Sequence, residues 1–361
     1  MCPGTSVHGH GVPTGKEAPM AVTIRDIARA AGVSRGTVDR VLNRRGGVRP
    51  ELEDRIRALI AEMGYTPNRA GKVLASLKKP MRIGCLLPSV GNDFFDGIIR
   101  GLRRAERELS DYGVSLEILQ VKGFDPAVHA GALKKLAQRK VNALCAATVD
   151  VLPVRRTVNA VIARGIPVAA VNSDLSGTGR LFYVGCNYLQ SGRTAAGLLR
   201  LMRGGRGAEI LVVTGSRNMQ GHNRRIAGFI QELKKQPAPF HIAKIVESVD
   251  DCEIAYRRTL QALDVLPRVD CVYVTSGGVA GVCRAVCEKG LAGRLTVLTF
   301  DDVPATRRFV RDGVISATIC QEPFEQGYRS VKLLYEFLVN GKKPEKSRYY
   351  TDTVIKIRQN L

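Results

Sequence analysis

Residues 23–43 read TIRDIARAAGVSRGTVDRVLN, and this stretch determines how the N-terminal part of the chain is interpreted. Apolar residues recur at i, i+3, i+4 and i+7 over residues 24–31, which predicts a helix with one apolar face. Thr23, with Asp26 three residues later, forms a pattern that starts helices. Gly32 and Val33 break the apolar spacing, so we expect a turn after this helix.

A second and a third helix are predicted after the turn. Ser34 can cap the second helix, and its inward face is formed by Val38, Val41 and Leu42. The opposite face has no core to fill and carries Arg35, Gly36, Asp39, Arg40 and Asn43. Pro50 opens the third helix, in which apolar residues keep helical spacing as far as Met63. This order is typical of a helix-turn-helix, whose second helix enters the major groove of DNA, and the alternative is a generic three-helix surface bundle.

The composition indicates a globular and strongly basic protein. Of the 361 residues, 45% are hydrophobic and 24% charged, which excludes wholesale disorder and allows two or three domains. Lys and Arg number 55 against 33 Asp and Glu, so the net charge is +22, which suggests a polyanionic partner. Residues 20–79 hold 13 Lys and Arg against 6 Asp and Glu, so most of the surplus charge lies outside the helical region.

Targeting signals and cysteine usage narrow the class of protein. No stretch approaches the roughly 20 consecutive apolar residues of a membrane span, so no membrane partner is expected. The first twenty residues are rich in Gly and Pro and lack the apolar run of a secretory signal, so we expect a disordered extension and a cytoplasmic protein. The nine cysteines are odd in number and include no C-x-x-C pair, which predicts reduced, buried thiols without a metal site or cofactor.

Beyond residue 80 the sequence alternates short apolar strands with amphipathic helices. The predicted strands are 82–87, 114–120, 142–147, 167–171, 181–184, 209–214, 240–247, 271–275, 295–300 and 314–319. Helices fill the intervals, for example 95–110, 127–139, 153–164, 189–202, 252–263 and 279–289. This βα repeat predicts an α/β fold with two doubly wound parallel sheets, each covered by helices on both faces. Ligands of such sheets bind at the carboxyl ends of the strands.

The N-terminal stretch resembles the DNA-binding headpiece of the lactose-repressor (LacI/GalR) family, and GYTPNRAGKVLA at residues 64–75 resembles the hinge helix of that family. The resemblance places Arg35, Gly36 and Arg40 at base-facing positions in the major groove, where Arg40 could bond guanine in bidentate fashion. It places Thr23, Ser34, Thr37 and Asn43 at phosphate-contacting positions. Asn68, Arg69 and Lys72 then flank the hinge, and Leu74 matches the leucine that wedges into the minor groove.

Three residues depart from the family pattern. Asp39 stands where serine is usual and puts an acid on the groove face, so it needs a donor such as cytosine N4 or a neighbouring Arg. Gly36 removes a side chain from a base-reading position, so together these two residues leave the operator sequence open. Gly71 replaces a common alanine and weakens the hinge helix by about 1 kcal/mol.

Residues 82–361 resemble the periplasmic-sugar-binding-protein-like domain of these repressors, a periplasmic-binding-protein fold of type I. The phrases that carry the resemblance include GNDFF at 91–95, RIAGF at 225–229, TFDD at 299–302 and ICQEP at 319–323. The resemblance implies effector-binding positions at Asn92, Phe94, Phe95, Asn172, Asp174, Arg225, Ser276, Asp301 and Gln321. Planar polar side chains suit paired hydrogen bonds to sugar hydroxyls, and aromatic rings cover the C–H faces of a sugar.

Several of these positions have a structural alternative. Phe94 and Phe95 could instead be core residues at a helix start, and Asp174 or Asp302 could cap a helix. Ser276, followed by two glycines, stands where these proteins often carry larger polar groups. The sequence therefore predicts the lining of the effector pocket less well around Ser276 than around Arg225, and it leaves the identity of the effector open.

The sequence predicts a DNA-binding transcription regulator, a repressor, whose affinity for operator DNA is controlled by a sugar-like effector bound between two lobes. It is expected to act as a homodimer on a pseudo-palindromic operator. The predicted domains are a disordered extension (1–20), a headpiece (21–66), a hinge and linker (67–80) and a body (81–361), with lobes of about 81–180 plus 322–342 and 181–321 plus 343–361.

Two other classes of protein were weighed. Residues 82–361 alone would also fit a solute-binding protein for sugar uptake with no role on DNA. No enzyme is expected, since the sequence contains no H-E-x-x-H or dinucleotide-binding G-x-G-x-x-G motif.

Overall fold

The computed structural model describes residues 22–42, 46–65, 80–235 and 238–361. The chain divides into two compact units, Met1–Lys72 and Val73–Leu361, called the headpiece and the body below. Most of the predicted hinge and linker, residues 67–80, and all of the predicted extension, residues 1–20, lie outside the described residues.

The headpiece contains the three predicted helices, α1 (Ile24–Ala31), α2 (Arg35–Leu42) and α3 (Pro50–Glu62). The helix ends follow the predicted signals, since Gly32 ends α1 in the left-handed conformation at φ 67°. Ile27, Val38 and Ile56, one from each helix, have no exposed surface and form the centre of a small core. The helix-turn-helix shape is therefore confirmed within the described part of the headpiece.

The body contains two six-stranded sheets, and each sheet defines one lobe. The N-terminal elements are β1 (Met81–Leu87), α4 (Phe94–Leu109), β2 (Val114–Gln120), α5 (Pro126–Gln138), β3 (Ala143–Ala146), α6 (Leu152–Ala163), β4 (Val168–Val171) and β5 (Tyr183–Cys186). The second set is α7 (Tyr188–Met202), β6 (Ala208–Thr214), α8 (Gln220–Leu233), β7 (Phe240–Glu247), α9 (Cys252–Val265), β8 (Cys271–Val274), α10 (Val279–Glu288), β9 (Thr296–Phe300), α11 (Pro304–Arg311) and β10 (Ala317–Cys320). The chain ends with α12 (Pro323–Asn340), β11 (Arg348–Thr351) and β12 (Val354–Lys356).

The two sheets have the same arrangement of strands. The first sheet has the order β11-β5-β4-β3-β1-β2, and the second has the order β12-β10-β9-β8-β6-β7. All pairs are parallel except β10 with β12. Apolar clusters lie on both faces of each sheet, two in the first lobe and two in the second. The predicted α/β class and its two doubly wound lobes are therefore confirmed.

The chain passes between the lobes at different residues from those predicted. β5 pairs with β4 in the first sheet, so the first crossing follows Cys186 rather than residue 180. β11 also joins the first sheet, beside β5, so the third crossing follows Thr351 rather than residue 342. The first lobe is thus 81–186 with 323–351, because backbone pairing rather than sequence pattern assigns these short strands. The second crossing lies near Gln321, between β10 and α12.

Glycines allow α12 to pack directly on α4. A Cβ at Gly101 would lie 2.0 Å from the Phe324 carbonyl oxygen, and one at Gly327 would lie 2.2 Å from the Ile98 carbonyl oxygen. Only glycine allows two helices this close approach. Among the residues that the structure describes, no helix is both long enough and apolar enough to cross a membrane.

Candidate DNA-binding surface and effector cleft

The exposed face of α2 carries side chains that the sequence predicts to contact DNA. Ser34 begins the helix, and its Oγ accepts from the Thr37 backbone N–H (3.2 Å) and lies 2.9 Å from Thr37 Oγ1. Arg35, Gly36 and Arg40 are exposed on the same helix. Because the apolar side chains of α2 are buried in the headpiece core, the polar ones remain on a surface that a DNA groove can reach.

Other predicted DNA contacts have partners within the headpiece or lie outside the described residues. The Thr23 N–H and hydroxyl both donate to the Asp26 carboxylate, at 2.9 and 2.6 Å, and these bonds lower the pKa of Asp26. Asp39 is half-buried, and its charge adds to burial in raising the pKa of Tyr65. The predicted contacts outside the described residues are Asn43, Asn68, Arg69, Lys72 and Leu74, and the departure at Gly71 also lies there.

A cleft between the two lobes brings together eight of the nine predicted effector residues. They are Asn92, Phe94, Phe95, Asn172, Arg225, Ser276, Asp301 and Gln321. The same cleft is lined by polar and aromatic residues that the sequence analysis did not select, namely Phe124, Ser173, Tyr188, His222, Asp250 and Phe300. Most of these residues lie in the loops or helix starts that follow a strand, so the carboxyl ends of the two sheets form the site.

Arg225 on α8 lines the cleft and carries buried donors without a partner in the described ranges. Its guanidinium lies 3.6 Å from the centre of the Phe300 ring and 4.8 Å from that of Tyr188, and Nη1 donates to the Thr275 carbonyl oxygen at 2.7 Å. The side chain is only 2% exposed, and its Nε and Nη2 are buried without a hydrogen-bond partner among the described residues. Buried donors of this kind are costly unless a ligand or water accepts from them.

Asp301 and Gln321 form a second polar group at the end of β9 and β10. Gln321 Nε2 donates to both carboxylate oxygens of Asp301, at 2.8 and 3.2 Å, while Gln321 Oε1 is buried and has no partner in the described part of the chain. Burial raises the pKa of Asp301 to about 6, although the charge of Arg225 opposes this rise. Asp301 has a φ of 70°, a conformation that a non-glycine residue rarely adopts.

Asp250, just after β7, is a cleft residue that the sequence analysis missed. One carboxylate oxygen accepts from the Gly277 N–H (3.1 Å) and the other from Asn92 Nδ2 of the first lobe (2.9 Å). Burial raises the pKa of Asp250 to about 6, against the lowering effect of these bonds and of Arg225. Its position after a predicted strand was a signal, but the next residue, Asp251, explains the acidic pair as a helix cap.

The first lobe contributes amides and aromatic rings to the cleft. Asn92 Oδ1 accepts from the Phe94 N–H (3.2 Å), and the rings of Phe94 and Phe95 pack edge to face at 5.4 Å. Both rings are buried in the core of this lobe and also line the cleft, so their core position leaves the predicted contact with an effector possible, and that contact stays a prediction. Asn172 Nδ2 lies 3.4 Å from Gln326 Oε1, and the buried Ser173 Oγ lacks a partner among the residues described.

The structure places Asp174, the ninth predicted effector residue, away from the cleft. Its carboxylate accepts from Arg180, with one contact at 2.9 Å, from Arg348 Nε at 3.1 Å and from the Leu175 N–H at 2.8 Å. Burial alone would raise its pKa, but Arg180 and Arg348 lower it below its usual value. Asp174 is thus engaged in an ion cluster that ties β11 to the loop after β4, and it is not a ligand-facing group.

The lobes are closed on each other around this cleft. Besides the Asn92–Asp250 bond, Gln220 Nε2 donates to Asp150 Oδ2 at 2.7 Å, and the Asp150 N–H donates to the Asn218 carbonyl oxygen at 3.1 Å. These bonds connect the lobes on both sides of the cleft and leave little free space between its lining side chains.

Comparisons with known proteins agree with this division of the chain. Residues 83–343 match the family model described as periplasmic binding protein domain, and residues 23–68 match that of bacterial regulatory proteins of the lacI family. The ribose operon repressor of Halalkalibacterium halodurans is 27% identical over 355 residues, which cover 93% of this chain and 96% of the repressor. The catabolite control protein A of Staphylococcus xylosus is 40% identical over 83 residues, 23% of this chain and 25% of that protein.

Solved structures resemble the body. The glucose-galactose binding protein GanP of Geobacillus stearothermophilus has a TM-score of 0.73 at 26% identity, covering 78% of this chain and 99% of GanP. A solute-binding protein of Burkholderia graminis, solved with D-arabinose, has a TM-score of 0.72 at 22% identity, covering 78% of this chain and 96% of its own, and shows the fold alone. The chain therefore belongs to the lacI family of bacterial regulatory proteins, DNA-binding regulators of transcription, with a helix-turn-helix headpiece and a periplasmic-binding-protein domain as its body.

Proposed function

We propose that this protein represses transcription as a homodimer on a pseudo-palindromic operator, and that a sugar or sugar derivative bound in the interlobe cleft controls its affinity for that DNA. The observation that carries the proposal is the buried guanidinium of Arg225, a residue that lines the cleft and whose Nε and Nη2 have no partner among the described residues. Donors this deeply buried are expected to bind water or the acceptor atoms of a ligand, because buried polar groups are rarely left without a hydrogen bond.

The cleft has the chemistry that a polyhydroxylated ligand needs. Arg225 offers donors, while Gln321 Oε1 and the Asp301 carboxylate offer acceptors, so neighbouring hydroxyls can bond to both kinds of group. The rings of Phe94, Phe95 and Phe300 supply apolar faces for the C–H groups of a sugar. The ribose operon repressor and the glucose-galactose binding protein, two similar proteins, are named for sugars, which supports this class of effector and a binding rather than a catalytic role.

Effector binding and lobe closure are coupled in this arrangement. The bonds from Asn92 to Asp250 and from Gln220 to Asp150 exist only while the lobes are closed. An effector that enters the cleft competes with the first bond and changes the balance between closed and open lobes. The effect of effector on DNA affinity must equal the effect of DNA on effector affinity, because the coupling is thermodynamically reciprocal.

On the DNA side, we propose that α2 lies in the major groove and that its exposed arginines read bases. Arg40 is exposed in the last turn of α2 and has the reach and planar geometry for guanine O6 and N7. Arg35 and Gly36 lie at the other end of the same helix. The roles predicted for Leu74 and the other hinge residues remain predictions from the sequence. A regulator of this kind works where the DNA is, and we propose the cytoplasm.

A gel-shift assay with DNA from upstream of the protein's own gene tests the proposal. The full chain should shift one fragment specifically, and a sugar from a panel of neutral aldoses and polyols should change the affinity. Arg40→Ala should weaken specific binding by roughly tenfold or more, the usual value of one bidentate base contact. Arg55→Ala is the matched control, because Arg55 is exposed on α3 and its loss removes the same charge.

The outcomes separate the candidate functions. A sugar that binds the chain while no fragment shifts would favour a solute-binding protein without a role on DNA. Equal losses for Arg40→Ala and Arg55→Ala would show that Arg40 contributes charge rather than base recognition.

A further inference from the structure

The turn after β7 holds two consecutive residues in the left-handed conformation. Val249 has a φ of 48° and Asp250 a φ of 59°. A β-branched residue such as valine is strongly disfavoured there, and strain of this kind collects at functional sites because the surrounding structure must maintain it. The Val249 N–H donates to the Gly215 carbonyl oxygen at 2.8 Å, which holds the turn in place. The backbone is therefore strained at the point where it directs the Asp250 side chain into the cleft.

Two glycines make room for the Asp250 carboxylate. A Cβ at Gly215 would lie 2.3 Å from Asp250 Oδ1, and a Cβ at Gly277 would lie 3.1 Å from Asp250 Cβ. The groups that donate to the carboxylate are neutral, namely Asn92 Nδ2 and the Gly277 N–H. Asp250 thus occupies the end of the cleft where Ser276 and Gly277 bring little side chain of their own.

The charged groups around Asp250 leave the cleft with an excess of negative charge. The facing charges are Arg225 from α8 and Asp301 from the end of β9, so one cation stands against two carboxylates. His222, also beside Gly215, stays neutral, because burial and the charge of Arg225 lower its pKa to about 3. Its Nδ1 accepts from the Ser216 N–H at 3.2 Å, so Nε2 carries the ring proton.

We propose that Asp250 is a specificity-determining residue of the effector site, which accepts a hydrogen bond from the effector and, together with Asp301, restricts the cleft to sugars or cyclitols without a negative charge. This inference rests on the proposed function, which assigns the cleft to a sugar-like effector. Phosphorylated sugars and sugar acids are excluded, because their negative charge would be repelled by the carboxylates of Asp250 and Asp301. The single guanidinium of Arg225 already interacts with both carboxylates and cannot also neutralise the ligand.

If Asp250 were kept for the fold, it would stabilise the folded protein, but the structure indicates that it lowers the stability. Its pKa is raised from 3.8 to about 6, so the folded state holds the proton more tightly than the unfolded state does, and ionisation costs stability that is lost as pH rises from about 3.8 to about 6 and is fully lost above that. Its left-handed backbone adds to the cost. A residue that destabilises the fold yet is held so closely fits a binding role.

The experiment uses the full chain and matched pairs of compounds, each a neutral sugar with its phosphate and its acid, such as glucose with glucose 6-phosphate and gluconate, and ribose with ribose 5-phosphate. Thermal shift ranks them, and calorimetry gives Kd. Asp250→Asn and Asp250→Gly are the test variants, since both residues tolerate a left-handed backbone. Asp111→Asn is the control, because Asp111 is exposed between α4 and β2, at the opposite end of the first sheet.

The expected result is that only neutral members of the pairs bind, and that both Asp250 variants weaken them about tenfold, the value of one hydrogen bond to a charged group. Asp111→Asn should leave Kd unchanged. At pH 8 without ligand, both Asp250 variants should melt at or above the temperature of the unsubstituted chain.

Three results would overturn the inference while leaving the proposed function intact: tighter binding of the acidic members, unchanged Kd in both Asp250 variants, or lower melting temperatures of both variants at pH 8. If no pair member bound the unsubstituted chain, the sugar-like effector of the proposed function would be refuted instead. The melting comparison at pH 8 would then still decide whether Asp250 is kept for the fold.

Discussion

The two lobes of the body share one strand order and yet contribute different chemistry to the cleft between them. The order β2-β1-β3-β4-β5-β11 of the first sheet corresponds to β7-β6-β8-β9-β10-β12 of the second, apart from the antiparallel direction of β12. The first lobe brings Asn92, Phe94, Phe95, Asn172 and Ser173. The charged lining residues, Arg225, Asp250 and Asp301, come from the second lobe.

This difference shows that the fold determines where the site lies and that the loops determine which side chains line it. The loop after β4 brings the amide of Asn172, for example, whereas the loop after the equivalent strand β9 brings the carboxylate of Asp301. The second lobe also holds the buried guanidinium with two unpartnered nitrogens, so it stores more unsatisfied hydrogen-bonding capacity than the first. Effector affinity should therefore depend more on side chains of the second lobe than on those of the first.

The largest expected effect comes from removing the guanidinium of the second lobe. Arg225→Ala should weaken effector binding by about 100-fold or more, because two hydrogen bonds to a charged group are lost. Operator binding in the gel shift should persist while the response to sugar disappears. Arg224→Ala is the matched control, since Arg224 is the preceding residue on α8 and is exposed. If Arg225→Ala retained the sugar response, Arg225 would not bind the effector, and the second lobe would not contribute more to effector affinity than the first.

The second effect is a dependence of effector affinity on pH, which also comes from the second lobe. Asp250 and Asp301 have pKa values raised to about 6, mainly by burial, so both are largely ionised at pH 7.5 and largely protonated at pH 5. Since the ionised form is the stronger acceptor, Kd for a neutral sugar should rise roughly tenfold between these pH values. Calorimetry at both values measures this. His222 stays neutral over the range, with its pKa near 3, and a flat profile would exclude both carboxylates from effector binding.

The sequence predicts features that depend on neighbouring residues of the chain better than features that depend on residues far apart in the sequence. The headpiece helices follow from local signals, such as the Asp26 carboxylate that binds Thr23 and the Ser34 oxygen that accepts from Thr37. Asp301 and Gln321 were found because each follows an apolar strand, and strand ends meet at one edge of a sheet.

Features determined by distant parts of the chain were missed or misplaced. Asp174 also follows a strand, but Arg180 and Arg348 occupy its carboxylate, and Arg348 is 174 residues away in the sequence. Strand β11 is RYYT, a partly exposed edge strand without the apolar run of the other four-residue strands, and only its pairing with β5 assigns it to the first lobe. Asp250 escaped notice because its partner Asn92 belongs to the other lobe, 158 residues earlier.

A smaller effect is expected from the first lobe. Asn92→Ala removes a neutral side chain from the cleft and should weaken a neutral sugar only about threefold to tenfold, the value of one neutral hydrogen bond. It also breaks the Asn92–Asp250 bond between the lobes, so the lobes should open more readily, which small-angle X-ray scattering without ligand would detect as a larger radius of gyration. A loss as large as that of Arg225→Ala would contradict the unequal roles of the lobes.

The smallest effect on the effector is expected at Asp174, although the cost to stability there is large. Asp174→Asn leaves the buried Arg180 guanidinium without its carboxylate, which should lower the free energy of unfolding by about 3 kcal/mol at pH 7 while Kd for the sugar stays the same. The pKa of Asp174 is lowered in the folded state, so its contribution is present above its usual value of 3.8 and is lost as pH falls through the lowered one. The melting deficit of Asp174→Asn against Asp111→Asn should therefore shrink at acid pH. A tenfold change in Kd would return Asp174 to the effector site, because ion pairing that only ties β11 to the first lobe has no reason to alter hydrogen bonds in the cleft.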